Sequence, residues 1–370
     1  MIKKNFKKIL TTLCLGLCLT QSYAYSDQLD SFDCSDCIPL CPTASLGVDF
    51  LYWKPCVDDM DYAAILTQTS AETSTNFGLQ YKAICPDWSA GVRAFVDFPA
   101  LCKGFDLRAS YTYVKFKDSH STLAGINEQV VPTNVNGFLF NLFGTGSFDS
   151  AHEKVEGRYQ AFDVLLRYPL ILTARQKFAP FFGVTGLSLK QEEKTRFINE
   201  ETISPFTTVV RDEWESDYFG VGLKLGTEWG YNLCDGLSLF ASAAGSIVTG
   251  DSDNKSEQTI HFELAESNVL DDIFTYHDDS CCQIVPGYHI QAGFGYETYA
   301  CGCDFSARIG YEFVNWFNLS NPRRFNVERI GIAGFVPRQV AFLPSSAIST
   351  QTNIRNFGMH GVFAGLDIKF

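Results

Sequence analysis

The last residues of the chain alternate strictly between apolar and charged side chains. Leu366, Ile368 and Phe370 fall on one parity, and Asp367 and Lys369 fall on the other. Successive side chains of a β-strand point to opposite faces of the sheet, so this period of two predicts a strand with one apolar and one polar face.

Further segments repeat this pattern, and their polar faces carry ionised residues and glycines. They are 88–98, 105–113, 162–168, 219–229, 288–297 and 304–313, with less regular runs at 45–54, 177–190 and 236–249. Such lengths suit tilted membrane strands of about 9–11 residues or more. A dry core between two soluble sheets would not accommodate charges from strand after strand, whereas the lumen of a barrel would.

The connections between these segments alternate between long and short. The long ones are 55–86, 118–154, 191–213, 250–285 and 318–356, and the short ones lie near 99–103, 169–176, 232–235 and 300–302. Long outer loops and short periplasmic turns are typical of outer-membrane proteins. We therefore predict an all-β fold, a transmembrane antiparallel β-barrel of about ten and at most about twelve strands.

Tryptophan positions fit the same orientation. Trp53, Trp88, Trp214 and Trp316 fall near strand ends that face the long loops, and Trp229 falls near a short turn. Aromatic residues collect at both membrane interfaces of such barrels, so we expect these five side chains to form interfacial girdles.

The first residues have the pattern of a secretory signal. A lysine-rich start precedes an apolar stretch over 9–19, and the small residues Ser22 and Ala24 follow. The stretch is shorter than the roughly 20 residues of a membrane anchor, so we expect cleavage after Ala24. The predicted organisation is a signal peptide over 1–24, a Cys-rich periplasmic segment over 25–44 and a barrel over 45–370, in the outer membrane of a Gram-negative bacterium.

Cysteine usage indicates an oxidising compartment. Of the 13 cysteines two lie in the signal segment, which leaves an odd number that cannot all pair internally. Cys56 and Cys85 flank the first long loop and are candidates for a disulfide that staples it. The full set of disulfide candidates is Cys34, Cys37, Cys41, Cys56, Cys85, Cys102, Cys234, Cys281, Cys282, Cys301 and Cys303.

Most of these cysteines fall on the predicted periplasmic side, which favours intermolecular cross-links; reduced, buried cysteines are the alternative. The spacing Cys34-x2-Cys37-x3-Cys41 offers three of the four ligands that zinc requires and has no nearby histidine. We therefore predict no metal site there and no cofactor.

Several of these features together resemble a known family. The Cys-rich start, the first strand Gly47–Lys54, the segment Trp88–Arg93 and the terminal Phe370 resemble the Legionella-type major outer membrane protein family. The resemblance implies a pore-forming barrel, also found in environmental chlamydiae, and it supplies no catalytic residues. A terminal phenylalanine also resembles the assembly signal through which the barrel-assembly machinery binds the C-terminal strand.

The favoured function is a porin-like channel for small hydrophilic solutes. The alternative is a structural, disulfide-cross-linked envelope protein or adhesin with a plugged barrel. Pore-lining residues would act by charge and size alone. The candidates are Asp49, Arg93, Asp97, Asp106, Arg108, Asp163, Arg167, Lys224, Glu228, Glu297, Asp304, Arg308 and Glu312. Because these side chains face a lumen, we expect Lys224→Gln to be mild and the lipid-facing Leu223→Arg to be damaging.

Other chemistries are less well supported. His277, Asp278 and Asp279 are the residue types of outer-membrane proteases, but no further part of such a site is recognisable, so we predict no enzyme. The acidic 251–279 segment either draws cations or is a solvated loop. Expected partners are outer-membrane lipid and lipopolysaccharide, the assembly machinery, and a disulfide-linked second copy or Cys-rich envelope proteins. With 42 acidic and 29 basic residues, a nucleic-acid partner is excluded.

Overall fold

A computed structural model describes residues 44–58, 60–71, 74–102, 104–133, 148–200, 206–264, 269–300, 303–320, 323–327, 348–352 and 355–370. The strands are β1 (Ser45–Val57), β2 (Asp61–Ala71), β3 (Ser74–Ala83), β4 (Ser89–Cys102), β5 (Phe105–Leu123), β6 (Glu128–Pro132), β7 (Ser150–Arg167), β8 (Leu170–Ile171), β9 (Gln176–Glu200), β10 (Phe206–Cys234), β11 (Leu237–Leu264), β12 (Val269–Ala300), β13 (Cys303–Ser320), β14 (Arg323–Val327), β15 (Ile348–Thr352) and β16 (Arg355–Lys369). The predicted signal segment, Cys34, Cys37, Cys41 and Cys301 lie outside the described residues.

Ten of these strands form a closed antiparallel barrel. Around the ring the order is β1, β4, β5, β7, β9, β10, β11, β12, β13 and β16, and the short β8 adds to the edge of β9. The ring closes where β16 pairs with β1, with Ser45 opposite Lys369. The Phe370 amide extends this pairing by donating to the Ala44 carbonyl at 3.0 Å. The prediction of a ten-strand barrel is confirmed.

The long and short connections also alternate around the ring as predicted. Short turns join β4 to β5, β7 to β9, β10 to β11 and β12 to β13. On the long-loop side, β2, β3 and β6 form a small separate sheet, and β14 pairs with β15. This arrangement defines a periplasmic, short-turn end and an outer, long-loop end of the barrel.

The prediction of a loop was wrong for two segments, because the strands of the barrel wall continue through them. Most of 191–213 and 250–285 belongs to β9, β10, β11 and β12, which stay paired out to residues 200, 206, 264 and 269. Sequence alternation fades there because the outward face contacts water instead of lipid and is polar, while the inward face mixes polar residues with apolar ones such as Phe197 and Ile260. Backbone pairing does not require that contrast, and the wall extends well beyond the bilayer.

The outward face of the barrel carries a broad apolar band. Exposed members include Phe50 on β1, Leu223 and Leu225 on β10, and Ile247 on β11. In a soluble protein such a surface would be an association hazard, whereas in the membrane it is the lipid-contacting surface. Among the described segments, none is a helix with the length and hydropathy of a membrane span.

The girdle prediction holds for only part of the tryptophan set. Trp88 is exposed and stacks on Tyr52, with ring centroids 5.3 Å apart. Trp53, Trp214 and Trp316 are instead buried inside the barrel. Parity explains the difference, because Trp53 shares the face of the inward Asp49, four residues earlier on the same strand.

Candidate functional site: the filled barrel interior

The inward side chains nearest the short-turn end form a layer of ion pairs, which we call the ionic layer. Asp49 is fully buried and accepts hydrogen bonds from Arg308 at 2.9 Å and from Arg93 at 3.3 Å. Arg93 also donates to both carboxylate oxygens of Glu312, at 2.9 and 3.0 Å. His289 lies 2.9 Å from the same carboxylate. Strands that are distant in sequence are therefore linked across the lumen.

A second network lies beside the first, still closer to the short turns. Arg108 donates to both oxygens of Asp97 at 2.7 Å, and Arg167 donates to Asp97 at 2.8 Å. Both arginines also approach Glu228, at 3.7 and 3.5 Å, and Arg167 lies 4.0 Å from Asp106. Paired hydrogen bonds between arginine and carboxylate fix geometry as well as charge, so this network braces neighbouring strands.

Lys224 forms a separate buried pair with Asp163, with 2.8 Å between the ammonium and the carboxylate. The expectation that Lys224→Gln is mild is therefore revised. The glutamine would leave Asp163 without its cation inside the barrel, and an unpaired buried charge is costly.

One aromatic ring organises the arginines. The Phe95 ring lies under Arg308 and Arg108, with 4.4 and 4.9 Å from the guanidinium carbons to the ring centroid. The ring occupies space that a side chain at position 47 would fill, so Gly47 is needed for this close approach. A Cβ at Gly365 would likewise overlap the Asp49 carboxylate.

The structure brings most of the predicted pore-lining residues together. The ionic layer contains Asp49, Arg93, Asp97, Asp106, Arg108, Asp163, Arg167, Lys224, Glu228, Arg308 and Glu312. Glu297 and Asp304 share the inward parity but are exposed at the short-turn end, and neither joins an ion pair with another described residue. Sequence reasoning omitted His289, although its parity on β12 marks it as inward-facing.

Directly above the ionic layer, toward the long loops, the lumen is filled by apolar side chains. Every barrel strand except β4 contributes to this apolar layer. Leu51, Leu187, Val248 and Val285 are fully buried at its wall. The layer lies between the polar regions on either side of it.

Aromatic rings fill the centre of the apolar layer. Phe357 stacks on Phe116 and Tyr159, with ring centroids 5.8 and 6.0 Å apart. Trp53 packs on Tyr159 at 6.3 Å, and the Trp316 indole N–H donates to the Tyr159 hydroxyl at 3.3 Å. The rings come from β1, β5, β7, β13 and β16, so they cross most of the lumen. Nothing in the sequence analysis predicted this layer, because apolar residues had been assigned to the lipid face.

A second polar layer lies beyond the apolar one. Arg355 of β16 donates to Glu193 of β9 at 2.6 Å, and Glu153 and Asp212 are buried nearby. Glu153 also accepts a hydrogen bond from Thr195. These residues lie in segments that sequence reasoning treated as outer loops and were therefore missed.

An apolar cap covers this layer at the long-loop end. Tyr62 of β2 and Val130 of β6 pack with Phe148, Phe197 and other buried residues. Burial raises the pKa of the Tyr62 hydroxyl, which lies outside the membrane-spanning strands. The interior is thus filled at two successive levels.

The cysteines whose side chains the structure describes, Cys56, Cys85, Cys234, Cys281, Cys282 and Cys303, are free thiols. Cys234 and Cys303 lie at short turns, and Cys102 ends β4 beside another. Cys281 and Cys282 are exposed at a bulge in β12. None of these six cysteines is in a disulfide, so cross-linking at the short-turn end stays a prediction.

The candidate loop staple has its two thiols in the same region. Cys56 is near the end of β1, and the Ile84 amide donates to the Met60 carbonyl at 3.0 Å, which brings Cys85 beside that end. Both cysteines are exposed and free. A disulfide between them stays a prediction.

The acidic segment includes one compact cluster on the outer wall. His277 lies 3.0 Å from Asp253 and 3.1 Å from Asp279, and one ligand atom from each lies within 4.8 Å of the others. Lys255 also contacts Asp253, at 3.3 Å, and competes with any cation there. The cluster faces outward, away from the barrel interior.

Comparisons with solved structures return outer-membrane proteins at low identity. The outer membrane protease OmpT of Escherichia coli is 8% identical, with 90% of this chain and 99% of that chain covered at a TM-score of 0.38. A Pseudomonas aeruginosa FadL homologue is 8% identical, with 89% of this chain and 90% of that chain covered at a TM-score of 0.23. The CymD monoaromatic hydrocarbon channel is 9% identical, with 89% of each chain covered at a TM-score of 0.33. Such scores carry no functional inference. No curated protein matches significantly.

The family comparison is more specific. The family model of the Legionella pneumophila major outer membrane protein precursor matches residues 39–370, which include all ten barrel strands. This match and the closed antiparallel barrel agree with the resemblance carried by the first strand and the terminal phenylalanine. The chain belongs to the Legionella pneumophila major outer membrane protein family and is an outer-membrane β-barrel.

Proposed function

We propose that this protein is a structural, non-enzymatic component of the outer membrane whose barrel is closed. The apolar layer carries the proposal, because almost every barrel strand contributes a buried side chain to it. Hydrophobic constrictions block ions by excluding water. A barrel of about eight strands is just filled by its own side chains, and ten strands is close to that limit.

A porin-like channel for small hydrophilic solutes is the second candidate, and the ionic layer favours it. Arg108 and Glu228 keep 18% and 27% of their side-chain surface exposed, so water reaches this layer. Its charged residues would select solutes by charge and size. Conduction would require the aromatic centre around Phe357 to move, because it crosses the path.

Conductance of the purified protein in planar bilayers separates the two functions. We expect no conductance steps for the unmodified protein and clear steps for Trp53→Ala/Phe357→Ala, which removes two rings from the aromatic centre. Phe50→Ala is the control, because Phe50 faces lipid and leaves the lumen unchanged. Heat-modifiable gel mobility checks that each variant is folded. Steps from the unmodified protein would contradict the closed barrel and support the channel.

A further inference from the structure

A row of charged residues crosses the outward wall on the long-loop side of the apolar band. Strand register places its members directly opposite one another on six consecutive barrel strands, from β5 to β12. In order they are Lys115, Arg158, Lys190, Asp217, Asp253 and Asp279. The charge changes sign once, between β9 and β10. We call Lys115, Arg158 and Lys190 the basic triad.

The basic triad lies at the outer border of the lipid-facing surface. On the same strands, Tyr111, Val164 and Val184 are exposed and lie on the short-turn side of the triad. Tyr111 also donates to Gln160 at 3.0 Å, a polar contact typical of an interface. The triad is therefore at the level where acyl chains end and the headgroups of the outer leaflet begin.

The protein itself neutralises only part of this charge. Arg158 has a cation directly opposite on each side, Lys115 on one strand and Lys190 on the other, and like charges in this position are destabilising. Lys190 is bonded to Glu215. Within the described part of the chain, Lys115 and Arg158 have no ion pair.

On β7 and β9, lysines that lie closer to the long loops than the triad do form ion pairs. Lys154 on β7 pairs with Glu156 at 2.8 Å. Lys194 on β9 pairs with Glu192 at 2.9 Å and with Glu213 at 3.2 Å. Lys154 and Lys194, closer to the loops, are thus neutralised by carboxylates of the described residues, whereas Lys115 and Arg158 at the level of the lipid headgroups are not.

We infer that the basic triad is a binding site for the phosphate groups of an outer-leaflet glycolipid. A phosphate between Lys115 and Arg158 would remove the repulsion of these cations, and the arginine fork can donate two hydrogen bonds to it. The acidic half of the row repels anionic headgroups and confines the lipid to β5, β7 and β9. This inference does not depend on whether the lumen conducts.

The test measures binding of fluorescent diphosphoryl lipid A to the folded, purified protein in neutral detergent micelles. Each basic residue near a charged lipid surface contributes about fivefold to affinity. Lys115→Gln/Arg158→Gln removes two of them and should therefore weaken binding about 30-fold. Arg158→Lys keeps the charge and should retain most of the affinity. The matched control is Lys154→Gln/Lys194→Gln, on the same outward face, which should change affinity by less than about twofold.

Two competitors identify the chemistry of the ligand. Unlabelled diphosphoryl lipid A should displace the probe, and dephosphorylated lipid A should not. Equal losses in the test and control variants would overturn the site, as would full affinity in Lys115→Gln/Arg158→Gln. Displacement by millimolar inorganic phosphate would show a free-anion site and overturn the glycolipid assignment. If Lys115→Gln/Arg158→Gln loses its heat-modifiable gel mobility, the variant is not folded. The affinity of Arg158→Lys and the result with the dephosphorylated competitor then decide the test.

Discussion

Replacing Lys224 with glutamine tests whether the ionic layer stabilises the barrel through buried pairs. The Lys224 and Asp163 side chains keep only 10% and 16% of their surface exposed, and their charged groups are 2.8 Å apart. Glutamine keeps most of the length of the side chain but removes the charge, so the carboxylate of Asp163 loses its cation in a buried site. Removing one partner of such a pair costs about 3–5 kcal/mol.

The measurement is the free energy of unfolding in urea, from lipid vesicles, followed by tryptophan fluorescence and by gel mobility. Lys177→Gln is the matched control, because Lys177 lies on the neighbouring strand β9, is exposed and has no ion pair among the described residues. It should change stability by less than about 0.5 kcal/mol. Lys224→Met/Asp163→Leu removes both charges and should recover most of the loss, because no charge is left unpaired.

A loss below about 1 kcal/mol in Lys224→Gln would refute this reasoning, because it would place the pair in the range of solvent-exposed ion pairs. The same conclusion would follow if the double variant were as unstable as the single one. The ionic layer would then contain enough water to solvate Asp163 alone, and its ion pairs would not stabilise the barrel.

Three further predictions follow from the placement of individual residues. Leu223→Arg puts a cation on the lipid face and should cost roughly 2–4 kcal/mol in the same unfolding assay. Phe370→Asp should prevent assembly, because Phe370 ends the lipid-facing face of β16, and heat-modifiable barrel in outer-membrane fractions of the variant would contradict this. Replacing all the predicted periplasmic cysteines with serine should remove reductant-sensitive oligomers from non-reducing gels of envelopes whose thiols are blocked before lysis; these are Cys34, Cys37, Cys41, Cys102, Cys234, Cys301 and Cys303. Monomers alone in the unmodified protein would contradict the cross-linking.

The faces of the membrane strands could be predicted from the sequence, and their partners across the lumen could not. Period-two alternation places Asp49, Arg93 and Arg308 on the inward face, because lipid and lumen select opposite side chains. Which carboxylate meets which arginine depends on closure of the ring, and Asp49 and Arg308 are 259 residues apart. Pairing of β1 with β16 decides that contact, and strand alternation carries no information on it.

The apolar layer shows a different limit of the sequence pattern. An apolar residue on an alternating strand was taken to face lipid, so Trp53 and Trp316 were assigned to the girdle. Counting parity from Asp49 would have placed Trp53 inside, where it packs on Tyr159. The pattern fails at this level because lipid on one side and the apolar layer on the other both favour apolar side chains.

The composition of the ionic layer is itself an argument about function. A selectivity filter acts through a field that favours one sign of charge, and such a field needs charges that their neighbours do not neutralise. In this layer Asp49 is held by two arginines, and Glu312 by Arg93 and His289. The strands β4, β7, β10 and β13 each carry both a cation and a carboxylate of this layer, so their fields largely cancel within the lumen. The remaining role of these charged pairs is mechanical, because they join strands across the ring beneath the apolar layer. That arrangement suits a rigid envelope component better than a filter.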